Sequence, residues 1–263
     1  MSSFTIHRLS YGPNPLHFAD LYVPADTGPH PVVILIHGGF WQNPYKLTLM
    51  DKLGRNLATR GIAAWNIEYR RIGDDGGGWP GTLQDVAAAS DRLGAIASMY
   101  ALDMQRVISV GHSAGGHLAL WLAARFRLAP GSDLAPHPDK ATRIRGAVSL
   151  AGVTDLAQAW HLKLGQEATD ELLGGGPRQV PERYATASPA ELLPLSIPQV
   201  LIHGTEDDRV PLHMSQDYAQ KARASGDDVT LIELEGVDHF LLIDPHSKAW
   251  TSAAAEIHHL LRA

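Results

Sequence analysis

The stretch Val107-Ile108-Ser109-Val110-Gly111-His112-Ser113-Ala114-Gly115-Gly116 decides how this chain is read. Val107 to Val110 is an apolar run of buried-strand type, and Leu118 to Phe126 repeats apolar residues at helical spacing. Between them lies a sharp turn with a serine at its apex and glycines on both sides. A serine in a strand–turn–helix bend of this kind is forced into a strained backbone conformation that exposes its hydroxyl. A Cβ at Gly111 or Gly115 would collide with the neighbouring strand or helix. Ser113 is therefore the candidate nucleophile. Its competing reading is a residue that only caps the following helix.

The rest of the chain alternates strand and helix around this point. Phe4–Leu9 and His17–Val23 alternate like half-buried strands and flank Gly12-Pro13-Asn14-Pro15, which predicts a hairpin. Val32–Ile36 is a β-branched run of central-strand type. Ala63–Glu68, Ala147–Leu150, Val200–His203 and Thr230–Leu234 add further strands. Helical spacing covers Tyr45–Arg60, with Gly61 as its stop, then Thr82–Tyr100 and finally Lys248–Leu261. Such alternation predicts a mostly parallel eight-stranded sheet with helices on both faces. Ligands on such sheets bind beyond the carboxyl ends of the strands, where His37, Glu68, Ser113, Ala151 and Gly204 fall. Gly73–Gly81 reads as a loop. Residues 153–198 exceed what one crossover helix needs and read as a small helical insertion, a candidate lid.

Bulk properties narrow the function. A chain of 263 residues suits one α/β domain over 1–263. The net charge of −6 is spread without a basic stripe, so nucleic acid is not an expected partner. No apolar stretch is long enough to span a bilayer. Met1 to Ser10 has no charged-then-apolar signal pattern, so a cytoplasmic location is expected. With no cysteine there is no disulfide framework, no thiolate nucleophile and no cysteine-held metal. Monomer and homodimer both stay open.

A serine hydroxyl needs a base to take its proton and an acid to orient that base. In strand–elbow–helix chains the expected order is Ser, then Asp or Glu, then His. His203-Gly204-Thr205-Glu206-Asp207-Asp208-Arg209-Val210-Pro211 offers the acid, and Gly236-Val237-Asp238-His239-Phe240 offers the base. Adjacency lets only one of Glu206, Asp207 and Asp208 point inward; Asp155 is a more distant candidate. Of the 14 histidines, His239 alone follows the acid and ends the last strand. His112 is tied to the turn, and His203 is placed to brace the acid loop. Negative charge on the attacked oxygen calls for backbone N–H groups. The Ala114 amide opens a helix, and His37-Gly38-Gly39-Phe40-Trp41 follows a strand with glycines that allow close approach.

Together these motifs resemble the α/β-hydrolase superfamily, and His37–Trp41 with Gly111–Leu118 is similar to the arylformamidase (kynurenine formamidase) and related esterase group. His203–Pro211 resembles the acid loop of prolyl-oligopeptidase-type domains, in which the first Asp is the triad acid; this resemblance selects Asp207. The resemblance implies Gly39, Phe40 and Ala114 as oxyanion donors, with Gly38 a weaker one. Glu68-Tyr69-Arg70 is similar to the group's Tyr-Arg pair, which implies a structural ion pair for Arg70, with Asp85 as a candidate partner.

These residues point to acyl transfer through Ser113, Asp207 and His239, with no metal or organic cofactor and a small-molecule ester or amide as substrate. Gly38, His112, Trp79, Trp160 and Phe240 are candidate substrate contacts. A carboxylesterase is the first expectation. An arylformamidase-type amidase is the second. A small peptidase is the third, weakened by the missing propeller domain. A non-catalytic binding protein on this fold usually lacks a triad member, and here all three residue types are present.

Overall fold

The computed structural model describes residues 3–262. Met1, Ser2 and Ala263, the ends of the expected 1–263 domain and the start of the segment read for a signal, lie outside the described residues. Eight strands form one sheet: β1 (Phe4–Ser10), β2 (Phe18–Pro24), β3 (His30–Ile36), β4 (Ala63–Ile67), β5 (Leu102–His112), β6 (Ala147–Leu150), β7 (Gln199–Gly204) and β8 (Val229–Leu234). Their order is β1-β2-β4-β3-β5-β6-β7-β8. The β1–β2 and β2–β4 pairs are antiparallel, and every later pair is parallel. This is the mixed, mostly parallel sheet of the α/β-hydrolase fold.

Two buried clusters sandwich the sheet. One packs Ile34, Trp65, Leu118 and Trp121 with α2 (Gly81–Ile96) and α3 (Ala114–Ala124). The other packs Leu35, Val110, Ile202 and Trp250 with α1 (Asp51–Ala58) and α8 (Lys248–Leu260). Ile34 and Leu35 therefore face opposite sides, as the two-residue period of a strand requires. Between β6 and β7 run α4 (Leu156–His161), α5 (Ala168–Leu173) and α6 (Pro181–Ala187), and α7 (Leu212–Ala224) precedes β8.

Most boundaries shift by a residue or two from the sequence expectation, and three larger differences have a tertiary reason. The helix expected over 45–60 begins only at Asp51, after a 3-10 turn over Leu47–Met50. There the Leu47 N–H bonds Glu68 Oε2 and its carbonyl accepts from Asn66 Nδ2, so partners outside the helix take up the backbone groups. The helix expected to reach Tyr100 stops at Ile96, because the chain must turn back into the sheet; Ala101 takes φ 49° and its carbonyl accepts from His30 N. Strand β5 starts at Leu102, five residues before the apolar run, through polar residues that only sheet pairing reveals.

Candidate active site

Ser113 sits between β5 and α3 at φ 58°, ψ −123°, a conformation L-residues rarely adopt. Close packing holds it there. A Cβ on Gly111 would overlap the Gly115 carbonyl, and one on Gly115 would overlap the Ile36 carbonyl. The Ser113 N–H donates to Leu150 O at 2.8 Å, and its carbonyl accepts from Gly116 N and His117 N. Ala114 opens α3, where first-turn N–H groups have no intrahelical acceptor.

Burial and hydrogen bonding separate the adjacent carboxylates. Asp207 has no exposed side-chain surface, whereas the Asp208 side chain is 71% exposed and pairs with Arg209. Asp207 Oδ1 accepts from Arg209 N and Val210 N, both at 2.8 Å. Its Oδ2 meets His239 Nδ1 at 2.6 Å and His203 Nε2 at 3.3 Å. Burial pushes this carboxyl up, but the hydrogen bonds from His203 and His239 outweigh it and hold the group well below the usual carboxylate range. His203 Nε2 also donates to Val210 O, and its Nδ1 meets Ser215 Oγ, so both ring nitrogens are engaged. Asp155 lies elsewhere: it caps α4 through Gln158 N and pairs with Lys221.

His239 is buried, and its carbonyl accepts from His112 Nε2 at 2.9 Å. The two imidazoles stand 4.4 Å apart. Burial, with His239 beside it, lowers the His112 pKa to about 3, so that ring is neutral at physiological pH. Its fixed Nε2–H holds the backbone that carries His239.

The glycine turn completes the arrangement. Gly39 has φ 110°, and a Cβ there would overlap the Tyr45 ring. Phe40 and Trp41 are left-handed at φ 50° and 58°. A Cβ on Gly38 would stand 2.8 Å from Ser113 Cβ, so this turn backs directly onto the serine. Beneath it, His37 Nε2 bonds Glu68 Oε1 at 3.0 Å, and Arg71 Nη1 lies 3.1 Å from the same oxygen. Burial raises the Glu68 pKa, but His37, Arg71 and the Leu47 N–H bring it below its ordinary value. Trp41 Nε1 donates to His117 Nδ1, and His117 Nε2 donates to Ala187 O, tying the turn to α3 and α6. Arg70 forms a two-point pair with Asp85 at 2.7 and 2.8 Å.

One cavity of about 100 Å³ is lined by Gly39, Phe40, Tyr45, Leu49, His112, Ser113, Arg209, His239 and Phe240. It thus joins the serine, the imidazole and the glycine turn. Of the expected substrate contacts, His112 and Phe240 line it, and Gly38 stands behind the serine. Trp79 and Trp160 are not among the lining residues: the Arg183 guanidinium lies 5.8 Å from the Trp79 ring, and Trp160 Nε1 bonds Asp170. The turn before α5 rests on Phe40, since a Cβ on Gly165 would lie 2.5 Å from that ring. Tyr45, Leu49 and Arg209 went unforeseen. The first two sit in the segment read as helix; Arg209 lay inside the quoted acid loop, its charge the available signal. Among the described residues, no group of three or more His, Asp or Glu side chains is placed to hold a metal ion, and no helix is long and apolar enough to cross a membrane.

Comparison with known proteins gives the family. The family model for BD-FAE matches residues 19–222. The chain belongs to the BD-FAE family. Kynurenine formamidase avaC of Aspergillus versicolor is 30% identical over 235 residues, covering 76% of this chain and 78% of that protein. A rice protein (Oryza sativa subsp. japonica) named "Probable isoprenylcysteine alpha-carbonyl methylesterase ICME" is 30% identical over 246 residues, 89% of this chain and 58% of its own length. The chain spans little more than half the length of the plant methylesterase relatives it matches. A truncated carbohydrate esterase from gut microbiota superposes with a TM-score of 0.83 at 21% identity, covering 99% of this chain and 97% of that one. Esterase Est2 of Thermogutta terrifontis gives a TM-score of 0.75 at 21% identity over 97% and 91% of the two chains. These superpositions establish the α/β-hydrolase fold.

Proposed function

We propose that the protein is a serine hydrolase that cleaves small carboxylic esters through an acyl-serine intermediate. The observation that carries this is the shielded Asp207–His239 pair at 2.6 Å, whose imidazole lines the same cavity as the strained Ser113. Asp207 accepts the Nδ1 proton of His239, which leaves the Nε2 lone pair for the serine proton. Ser113 Oγ attacks the carbonyl carbon as His239 takes that proton. The tetrahedral oxyanion is held by the backbone N–H groups of Gly39, Phe40 and Ala114, each such donor being worth on the order of 10²-fold in rate. His239 then protonates the departing alkoxide. Water, deprotonated by the same imidazole, attacks the acyl-serine and releases the acid.

The insertion between β6 and β7 touches Phe40 and covers that edge of the cavity. A cytoplasmic location belongs to the same proposal and is tested by cell fractionation.

The kynurenine formamidase relative, most of whose length this chain covers, favours one second reading: hydrolysis of an aryl formamide by the same steps. Formyl is the smallest acyl group and fits the same cavity. Purified protein assayed side by side on short-chain p-nitrophenyl esters and on N-formylkynurenine separates the two. Turnover of the esters alone supports the first reading, and preferential turnover of the formamide supports the second. Silence on both substrates overturns the hydrolase reading.

A further inference from the structure

Resting on the reading of this cavity as the ester-cleaving site, we infer that Arg209 makes it selective for esters whose leaving group carries a carboxylate. Among the described residues, Arg209 is the one fixed charge in the lining; no Asp or Glu faces it there, and His112 is neutral. The guanidinium is not committed elsewhere. Its partner is the adjacent Asp208, with Nε and Oδ1 3.3 Å apart, and the two side chains are 54% and 71% exposed. Such exposed neighbour pairs are weak and exchange readily for a better-placed anion. A guanidinium presents paired donors that match a carboxylate in two-point fashion.

Position selects the leaving-group side. The Arg209 N–H donates to Asp207 Oδ1, and Asp207 Oδ2 bonds the His239 ring. The Arg209 backbone therefore belongs to the acid loop that orients the His239 imidazole, and not to the glycine turn that holds the oxyanion. The lining beside His239 is aromatic, with Phe240 5.4 Å from its ring. A phenol carrying a carboxylate combines both features: a ring for the aromatic wall and an anion for the guanidinium. The overall charge of −6 disfavours anions at long range, so selectivity must come from this local contact.

The test compares meta-acetoxybenzoate with its methyl ester, two substrates with the same acetyl group and ring attachment. The native enzyme should favour the carboxylate in kcat/KM by about 10-fold at low salt, and the advantage should shrink as salt rises. Arg209→Gln should bring the ratio of the two kcat/KM values close to one, mainly through KM of the anion. Arg209→Lys should keep part of the preference. A native ratio at or below one overturns the inference, as does a ratio unchanged in Arg209→Gln. If that variant does not fold, the salt series on the native enzyme and the lysine variant decide the matter. Failure to cleave either ester would sink the hydrolase reading and this inference together; equal cleavage of both would sink the inference alone.

Discussion

Replacing Asp207 by Asn should strand the base in its unproductive tautomer. Oδ1 accepts two backbone N–H groups at 2.8 Å, so the amide oxygen must stay at that position. The amide nitrogen then takes the place of Oδ2, 2.6 Å from His239 Nδ1. An N–H cannot accept a proton donor, so His239 must offer a bare Nδ1 and carry its proton on Nε2. The lone pair needed by Ser113 is then spent on the wrong side of the ring. Loss of the correct tautomer costs about 10⁴-fold in kcat, or about 5 kcal/mol of transition-state stabilisation. The shape and most hydrogen bonds survive, so the fold should lose only about 1–3 kcal/mol. Asp208→Asn removes an exposed charge and should keep activity within about threefold. The assay is steady-state hydrolysis of a short p-nitrophenyl ester, with circular dichroism confirming that both variants are folded. Comparable losses in the two variants would refute the assignment of the acid, and so would a folded Asp207→Asn enzyme with most of its rate.

Ser113→Ala should lower kcat by about 10⁶-fold with little change in thermal stability; retention of a few per cent of activity, measured on the same ester, would identify another nucleophile. Acid should destabilise the fold early. Burial, joined for His112 by nearby His239, lowers the pKa of His112 to about 3 and of His117 to about 4, from 6.5 in each case. The unfolded chain therefore binds these protons first, and the stability they contribute, complete above pH 6.5, is lost as pH falls. By pH 5 each costs about 2 kcal/mol, before Asp207 and Glu68 begin to titrate. Urea unfolding between pH 7 and 5 reads this directly, and a flat profile would contradict the burial of both rings.

Much of the site was legible because its chemistry sits in short segments at strand ends. The turn Gly111–Gly116 announces itself by glycines that only close packing requires, and His37–Trp41 by glycines that let the backbone approach the serine. What stayed hidden depends on distant partners. Glu68 ends an apolar strand, and nothing local says that its carboxylate lies buried against His37, Arg71 and the Leu47 amide. Trp79 and Trp160 are absent from the cavity lining because the partners of their rings lie elsewhere, Arg183 over Trp79 and Asp170 at Trp160 Nε1. Arg209 carried no signal beyond its charge, since cavity lining is a property of three dimensions.

By itself the sequence determined the alternation of strands and helices, the strained bend at Ser113 and the chain order of serine, acid and imidazole. Local sterics and hydrophobic periodicity are written in neighbouring residues, and they suffice for that much. Local chemistry alone left three adjacent carboxylates open, and beyond the family resemblance only tertiary structure decided which meets an imidazole 32 residues further on and which arginine shares their cavity. Burial and hydrogen bonding of a side chain depend on what the rest of the chain places around it, and adjacent residues cannot specify that.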